Sequence, residues 1–102
     1  MIKPPHPGET LKEDYLLPLG MSASRLAGAL GIGTSRLNEI VLGKRGITAD
    51  TALRLARCFG TSAEFWLNLQ SLYDLRTAER KAGGKIERTV KPLKVASSRS
   101  AC

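Results

Sequence analysis

Cysteine and aromatic residues are scarce in this chain of 102 residues, which contains two Cys, one Trp, two Tyr and two Phe. The cysteines, Cys58 and Cys102, lie far apart in the sequence, and neither has a CxxC partner or a nearby histidine. This arrangement excludes a zinc site of the usual spacing and disfavours a disulfide framework. We therefore expect neither a metal nor covalent cross-links.

Catalytic constellations are also missing. The chain has one histidine, His6, and it lacks a Ser/His/Asp set, paired carboxylates and a glycine-rich phosphate loop followed by lysine. Because an enzyme needs at least a positioned base and a stabilising group, we expect no enzyme and no cofactor. His6 is expected to cap a helix or to lie on the surface.

Long hydrophobic runs are absent as well. No stretch approaches the roughly 20 apolar residues that span a bilayer, and no charged segment followed by an apolar one opens the chain as in a signal peptide. The sequence therefore predicts a cytoplasmic protein with no membrane segment. A content of 42% hydrophobic and 25% charged residues is typical of one soluble globular domain.

Positive charge is present in excess and is unevenly distributed. The net charge is +7, yet residues 1–75 hold eight basic and seven acidic side chains, while residues 76–102 hold eight basic and two acidic ones. A basic protein of this size suggests a polyanionic partner, most commonly nucleic acid. The alternative is a solvated basic tail that serves only solubility.

Start and stop signals divide the chain into five helices, which predicts an all-α fold. Caps and glycines mark most of the ends, and the fifth helix opens with a capping box. The predicted helices begin at Pro7, Ser22, Thr34, Thr48 and Thr61, and the first four end at Pro18 with Gly20, at Gly31, at Gly43 and at Gly60.

The second and third helices, residues 22–30 and 34–42, are short and are joined by a glycine turn. Two such helices with a tight turn indicate a helix-turn-helix. The small Ala27 permits close helix packing, and Leu37 with Ile40 provides the buried side of the third helix. A basic loop at Lys44 and Arg45 follows.

The third helix is the candidate recognition helix, which uses its first residues to contact base edges in the major groove. With Leu37, Ile40 and Val41 inward, five polar residues are left outward or lateral: Thr34, Ser35, Arg36, Asn38 and Glu39. Hydroxyls can donate or accept, arginine can bind guanine or phosphate, asparagine can pair with adenine, and glutamate can accept from cytosine. Lys44 and Arg45 are candidates for phosphate contact. The alternatives are an ordinary exposed pair for Arg36 and Glu39 and a solvated loop for the two basic residues.

The segments HPGE, NEIVLGKRGITADTALRLA and FGTSAEFWLNLQ make residues 6–79 recognisable. They resemble the HigA-type antitoxins, also called the virulence-associated protein I family. The resemblance implies a five-helix DNA-binding domain of the phage-repressor (Xre) type that forms a homodimer. It also implies repression of its own operon at double-stranded operator DNA, and neutralisation of an mRNA-cleaving ribonuclease toxin by direct binding. Two alternatives stay open: a free-standing repressor without a toxin, and a protein-interaction module that keeps the helix-turn-helix only for packing.

One position departs from the pattern of similar domains. They often carry a phosphate-binding glutamine just after the cap of the second helix, and here that position is Ala23. Ser24 or Arg25 is the candidate to make this contact instead.

The fifth helix and the segment after it carry the remaining expectations. Trp66, Leu69 and Tyr73 are candidate interface residues, for a second copy or for a toxin, because exposed aromatic and apolar side chains mark interfaces. The alternative is that all the apolar residues of this helix belong to the core. We expect a helix-turn-helix domain over residues 1–82 and a flexible, partly disordered basic tail over 83–102, divided at Gly83 and Gly84. The alternation from Ile86 to Val90 suggests a short strand. The tail is not expected to determine sequence specificity.

Overall fold

In the computed structural model, which describes residues 4–94, the chain forms five helices and no strand within that range. The first helix, α1, covers residues 7–19. The others are α2 (Ala23–Leu30), α3 (Thr34–Val41), α4 (Ala49–Phe59) and α5 (Ala63–Thr89). The predicted all-α class with five helices is confirmed.

Helix α1 contains a wide π-helical turn. It is α-helical over Pro7–Leu11, π-helical over Lys12–Leu16 and α-helical again over Leu17–Leu19. Pro18 has no N–H to donate and its ring crowds the carbonyl four residues back. The wider turn, in which the Leu17 N–H donates to the Lys12 carbonyl, accommodates the proline. Pro18 therefore lies inside the last turn, and the left-handed Gly20 alone ends the helix.

Side-chain hydroxyl groups cap the start of three of the helices. The hydroxyls of Ser22, Thr48 and Ser62 accept hydrogen bonds from the N–H groups of Arg25, Thr51 and Phe65, respectively. Helix α5 begins one residue later than the capping box predicts. The Thr61 hydroxyl instead accepts the indole N–H of Trp66 at 2.7 Å.

Trp66 is the largest fully buried side chain of the core. Its ring centroid lies 5.3 Å from that of Tyr15 on α1 and 5.0 Å from that of Phe65. The interface prediction for Trp66 is wrong, because a side chain with 0% exposure offers no surface to a partner. The other buried hydrophobic residues of the core are Leu11, Leu16, Leu26, Ala27, Leu30, Leu37, Ile40, Ile47, Ala52 and Leu55.

Helix α5 continues without a break through Gly83 and Gly84. The domain boundary expected at these two glycines does not coincide with the end of the helix. The predicted strand from Ile86 to Val90 is wrong, since these residues belong to the last helical turns and the C-cap. A helical glycine costs only about 1 kcal/mol, which the surrounding alanine, glutamate, lysine and arginine residues tolerate. The helix is about 40 Å long at 1.5 Å per residue, and its end gives the molecule extents of 53 × 26 × 23 Å. Residues 95–102 of the predicted basic tail lie outside the described range.

His6 caps the start of α1, as one of the two sequence alternatives predicts. Its Nδ1 accepts the N–H of Gly8 at 2.9 Å, and its ring packs edge-on against Tyr73, with centroids 4.9 Å apart. Burial lowers the pKa of His6 below the ordinary value, although the nearby carboxylates of Asp74 and Glu9 act to raise it. The cap requires a neutral ring, because a protonated Nδ1 cannot accept the Gly8 hydrogen bond.

Three glycines are expected to respond differently to alanine. A methyl group on Gly8 would overlap the backbone carbonyl of Ile40, so Gly8→Ala should destabilise the fold by about 1–3 kcal/mol. Gly83 and Gly84 are helical, and their neighbours there are side-chain atoms at 3.4 Å or more. Alanine at either should favour the helix by about 0.5–1 kcal/mol. Circular dichroism with urea titration measures both effects, and equal stability of the Gly8 and Gly83 variants would contradict this packing.

The cap of α1 should make stability depend on pH. Because the pKa of His6 is lower in the folded than in the unfolded chain, the unfolded state takes up the proton first. The free energy of unfolding should therefore fall as the pH drops through about 6.5 toward the lowered pKa. Urea titrations between about pH 8 and 5.5 measure this slope. His6→Asn keeps a capping side chain without a titrating ring, so its slope should be flat, and an equal slope in both proteins would rule out His6 as the source.

Candidate nucleic-acid interface

Helices α2 and α3 are held at a fixed angle by the turn between them and by α4. Gly31 adopts a left-handed conformation with φ of 73°, and the Ile32 N–H donates to the Ala27 carbonyl at 3.0 Å. The guanidinium of Arg54 on α4 donates to the Leu30 carbonyl at 2.8 Å and to the Gly31 carbonyl at 3.4 Å. These bonds satisfy the carbonyl groups left open at the end of α2 and fix the predicted helix-turn-helix.

The two sides of α3 divide as the sequence predicts. Leu37 and Ile40 are fully buried, and Val41 is partly buried against the core. Of the polar positions, three are exposed along the helix: Thr34, Ser35 and Asn38. The first turn of α2 exposes Ser24 and Arg25, whereas Ala23 packs against the core.

Arg36 is partly buried and bound within the protein. Its Nη2 donates to the hydroxyl of Thr51 in the first turn of α4 at 2.9 Å and to that of the N-cap residue Thr48 at 3.4 Å. Thr51 is fully buried, so this hydrogen bond joins α3 to a rigid point of the domain. Sequence reasoning missed the contact, because the partners of Arg36 lie 12 and 15 residues further along the chain.

Glu39 and Arg45 form an ion pair at the end of α3. The Arg45 Nε lies 2.7 Å from Glu39 Oε1, and both side chains are about half exposed. Such a surface pair stabilises a fold by at most about 1 kcal/mol. The pair also folds the basic loop back on the helix, where the Lys44 N–H donates to the Glu39 carbonyl at 2.8 Å.

Helix α5 holds the far end of the same loop through Gln70, a residue for which the sequence gives no signal. The Gln70 side-chain oxygen accepts the Ile47 N–H at 2.7 Å, while its amide nitrogen donates to Asp74 at 2.9 Å. The basic loop is therefore supported from both sides. Lys44 remains exposed at its tip.

The other predicted interface residues are tied to the domain itself. Leu69 is partly buried against the core, and Tyr73 is partly buried against the ring of His6. More apolar surface is exposed at Phe65, Leu72 and Leu75 of α5. These three side chains form the larger candidate surface on this helix.

Two further findings concern residues 4–94. No three His, Cys, Asp or Glu side chains in this range come together in a way that would hold a metal ion. None of the described helices combines the length and the apolar content required to cross a membrane.

Comparison with known proteins gives the same picture of this domain. A family model described as helix-turn-helix, HTH_3, matches residues 12–66. Virulence-associated protein I of Dichelobacter nodosus is 61% identical over 75 residues, which are 74% of this chain and 69% of that protein.

Two solved structures are similar along most of the chain. Antitoxin GraA has 47% identity and a TM-score of 0.89, with 91% of this chain and all of that chain covered. Pseudomonas aeruginosa antitoxin HigA, solved with the higBA promoter, has 47% identity and a TM-score of 0.86, with 89% of this chain and 99% of that chain covered. The chain therefore belongs to the helix-turn-helix family HTH_3 of the Xre type and, within it, to the group of the HigA-type antitoxins and virulence-associated protein I.

Proposed function

We propose that this protein is an antitoxin that represses its own operon at a specific DNA operator and neutralises an mRNA-cleaving ribonuclease by direct binding. The observation that supports DNA binding is the polar row of α3, by which we mean the exposed side chains of Thr34, Ser35 and Asn38. A rigid turn supports this row and a basic loop follows it. The P. aeruginosa relative solved with its promoter supports the same use of this fold.

The exposed residues of α3 are suited to base contacts. Thr34 and Ser35 in its first turn can donate to or accept from base edges, and Asn38 one turn later can pair with adenine. Glu39 can also accept from cytosine, although its Oε1 is engaged by Arg45. Lys44, at the tip of the loop, forms no ion pair within the described residues and is available for phosphate contact.

The phosphate contacts surround this row. Lys44 and Arg45 follow α3 and carry the positive charge, and Ser24 and Arg25 lie in the first turn of α2. Contacts of this kind fix the register of the protein on the duplex without reading the sequence. We assign Arg36 a different role: it holds α3 on Thr51 and thereby sets the angle at which Thr34, Ser35 and Asn38 meet the groove.

A homodimer completes this function. Two recognition helices about 34 Å apart match successive major grooves on one side of the DNA. The exposed Phe65, Leu72 and Leu75 of α5 supply the apolar surface for a second copy.

The role of Arg36 is tested by comparing a substitution of Arg36 with a substitution of its hydrogen-bond acceptor, Thr51. If Arg36 positions α3, Thr51→Val and Arg36→Ala should both weaken operator binding by about 1–3 kcal/mol and lower stability, since both break the same bond. Lys44→Ala is the control, and it should weaken operator and scrambled DNA alike and flatten the salt dependence. The measurement is a fluorescence titration at several salt concentrations. Should Arg36→Ala relax sequence preference while Thr51→Val leaves binding intact, Arg36 contacts a base.

The homodimer is tested by light scattering. Leu72→Glu, which places a charge on the proposed apolar surface, should convert a dimer at micromolar concentration to a monomer. Leu17→Glu on α1 is the control, since Leu17 is also an exposed helical leucine (61% exposed, against 43% for Leu72), and it should stay dimeric. A wild-type protein that is a strict monomer, with and without DNA, would contradict the proposal.

Toxin neutralisation is tested with the product of a short reading frame found next to the gene of this chain. Added to an in vitro translation reaction, this product should cleave the mRNA, and an equimolar amount of the chain should restore translation. If the chain binds its promoter but neither binds nor inhibits that product, it is a free-standing repressor.

A further inference from the structure

A groove of about 530 Å³ lies on the side of the domain where α1 begins. It runs between the segment before α1, the first turns of α1, the end of α3 and one residue of α5. Its lining includes Pro5, Glu9, Lys12, Glu13, Leu42 and Tyr73. We call it the α1 groove.

The wall formed by α1 carries negative charge in an otherwise basic chain. Three of the nine acidic residues of the sequence lie between positions 9 and 14, with Lys12 as the one basic residue among them. Glu9, Lys12 and Glu13 line the groove, so α1 gives it two carboxylates and one ammonium group. Asp74 is near enough for its charge to act on His6 in the same groove. His6 itself contributes little positive charge near pH 7, because burial lowers its pKa.

These carboxylates are not consumed by ion pairs within the described residues. Glu39, Asp50 and Glu79 each lie within 3.0 Å of an arginine nitrogen. No ion pair joins Glu9, Glu13 or Asp14 to another residue of the range 4–94. Their charge is therefore available to a partner.

The groove also has an apolar edge. Leu42, the residue that ends α3, has 68% of its surface exposed, and Val41 beside it is only partly buried. Pro5 and the ring of Tyr73 add further apolar surface to the lining. An exposed leucine beside unpaired carboxylates fits a partner segment that is both basic and apolar.

We propose that the α1 groove is the docking site for the ribonuclease toxin, which inserts a basic segment with an apolar side chain between α1 and the end of α3. This inference rests on the proposed antitoxin function. An enzyme that binds mRNA needs a cationic surface for the phosphates, and such a surface is attracted to the carboxylates of α1. The basic loop of residues 44–45 and the end of α5 repel it.

DNA is the occupant that the charges disfavour. Phosphates are repelled by Glu9 and Glu13 and attracted by the basic loop that follows α3. The chain therefore presents DNA and a basic protein with surfaces of opposite sign. Acidic residues elsewhere in the described range that lie outside ion pairs, such as Glu64 and Glu87, stand singly on α5 and do not line the α1 groove.

The experiment is a calorimetric titration of the full chain with the purified product of the adjacent reading frame. Glu9→Lys/Glu13→Lys should weaken binding by about tenfold or more. Glu64→Lys/Glu87→Lys is the matched control, because it changes the net charge equally on exposed helical positions, and it should stay within about threefold of wild type. Leu42→Ser should weaken binding without any change in charge. Circular dichroism and promoter binding verify that each variant is folded.

The possible results separate the two levels of the proposal. If the wild-type chain binds the product and both double variants bind equally well, the groove assignment is wrong and the antitoxin function stands. If the wild-type chain does not bind the product, the neutralising function fails and the groove assignment fails with it. If the groove variant gains promoter affinity well beyond the control, the groove faces DNA and the assignment is overturned.

Discussion

The burial of Trp66 is the constraint on which the rest of the structure depends. Its indole packs against Tyr15 of α1, and its only polar atom is satisfied by Thr61 at 2.7 Å. An aromatic side chain of this size, fully buried, contributes several kcal/mol to a small core. With Trp66 fixed, α5 is positioned so that Gln70, one turn further on, reaches the loop that follows α3. Helix α3 is thus supported indirectly by the helix most distant from it in sequence.

The charged residues of α3 make contacts within the protein, whereas its uncharged polar residues face solvent. Arg36 and Glu39 are bound to other residues of the chain, whereas Thr34, Ser35 and Asn38 are exposed. Removing water from uncharged side chains costs little free energy when they contact base edges, and the bound residues Arg36 and Glu39 keep the helix at one angle. This division favours a preorganised surface for reading sequence, with affinity for phosphate supplied by residues outside the row.

Local signals in the sequence predicted most of the fold, and long-range contacts account for the rest. Ser22 and Thr48 cap their helices because a hydroxyl reaches an N–H only three residues away. Pro18 and Gly83 do not end helices as their residue types predict. A π-helical turn accommodates the proline, and good helix formers surround the glycine. The hydrogen bond from Arg36 to Thr51 and the α1 groove depend on how the helices pack against one another. A local sequence pattern therefore cannot predict them.

The central claim is that the chain meets DNA through α3 and its flanking loop and leaves α1 free for another partner. Amide chemical shifts of the full chain, followed by NMR during titration with a duplex from its own promoter, test this directly. We expect the largest changes at residues 24–25, 34–38 and 44–45, with Glu9 and Glu13 and residues 80–89 nearly unchanged. Largest changes in α1 or in the last turns of α5 would contradict it.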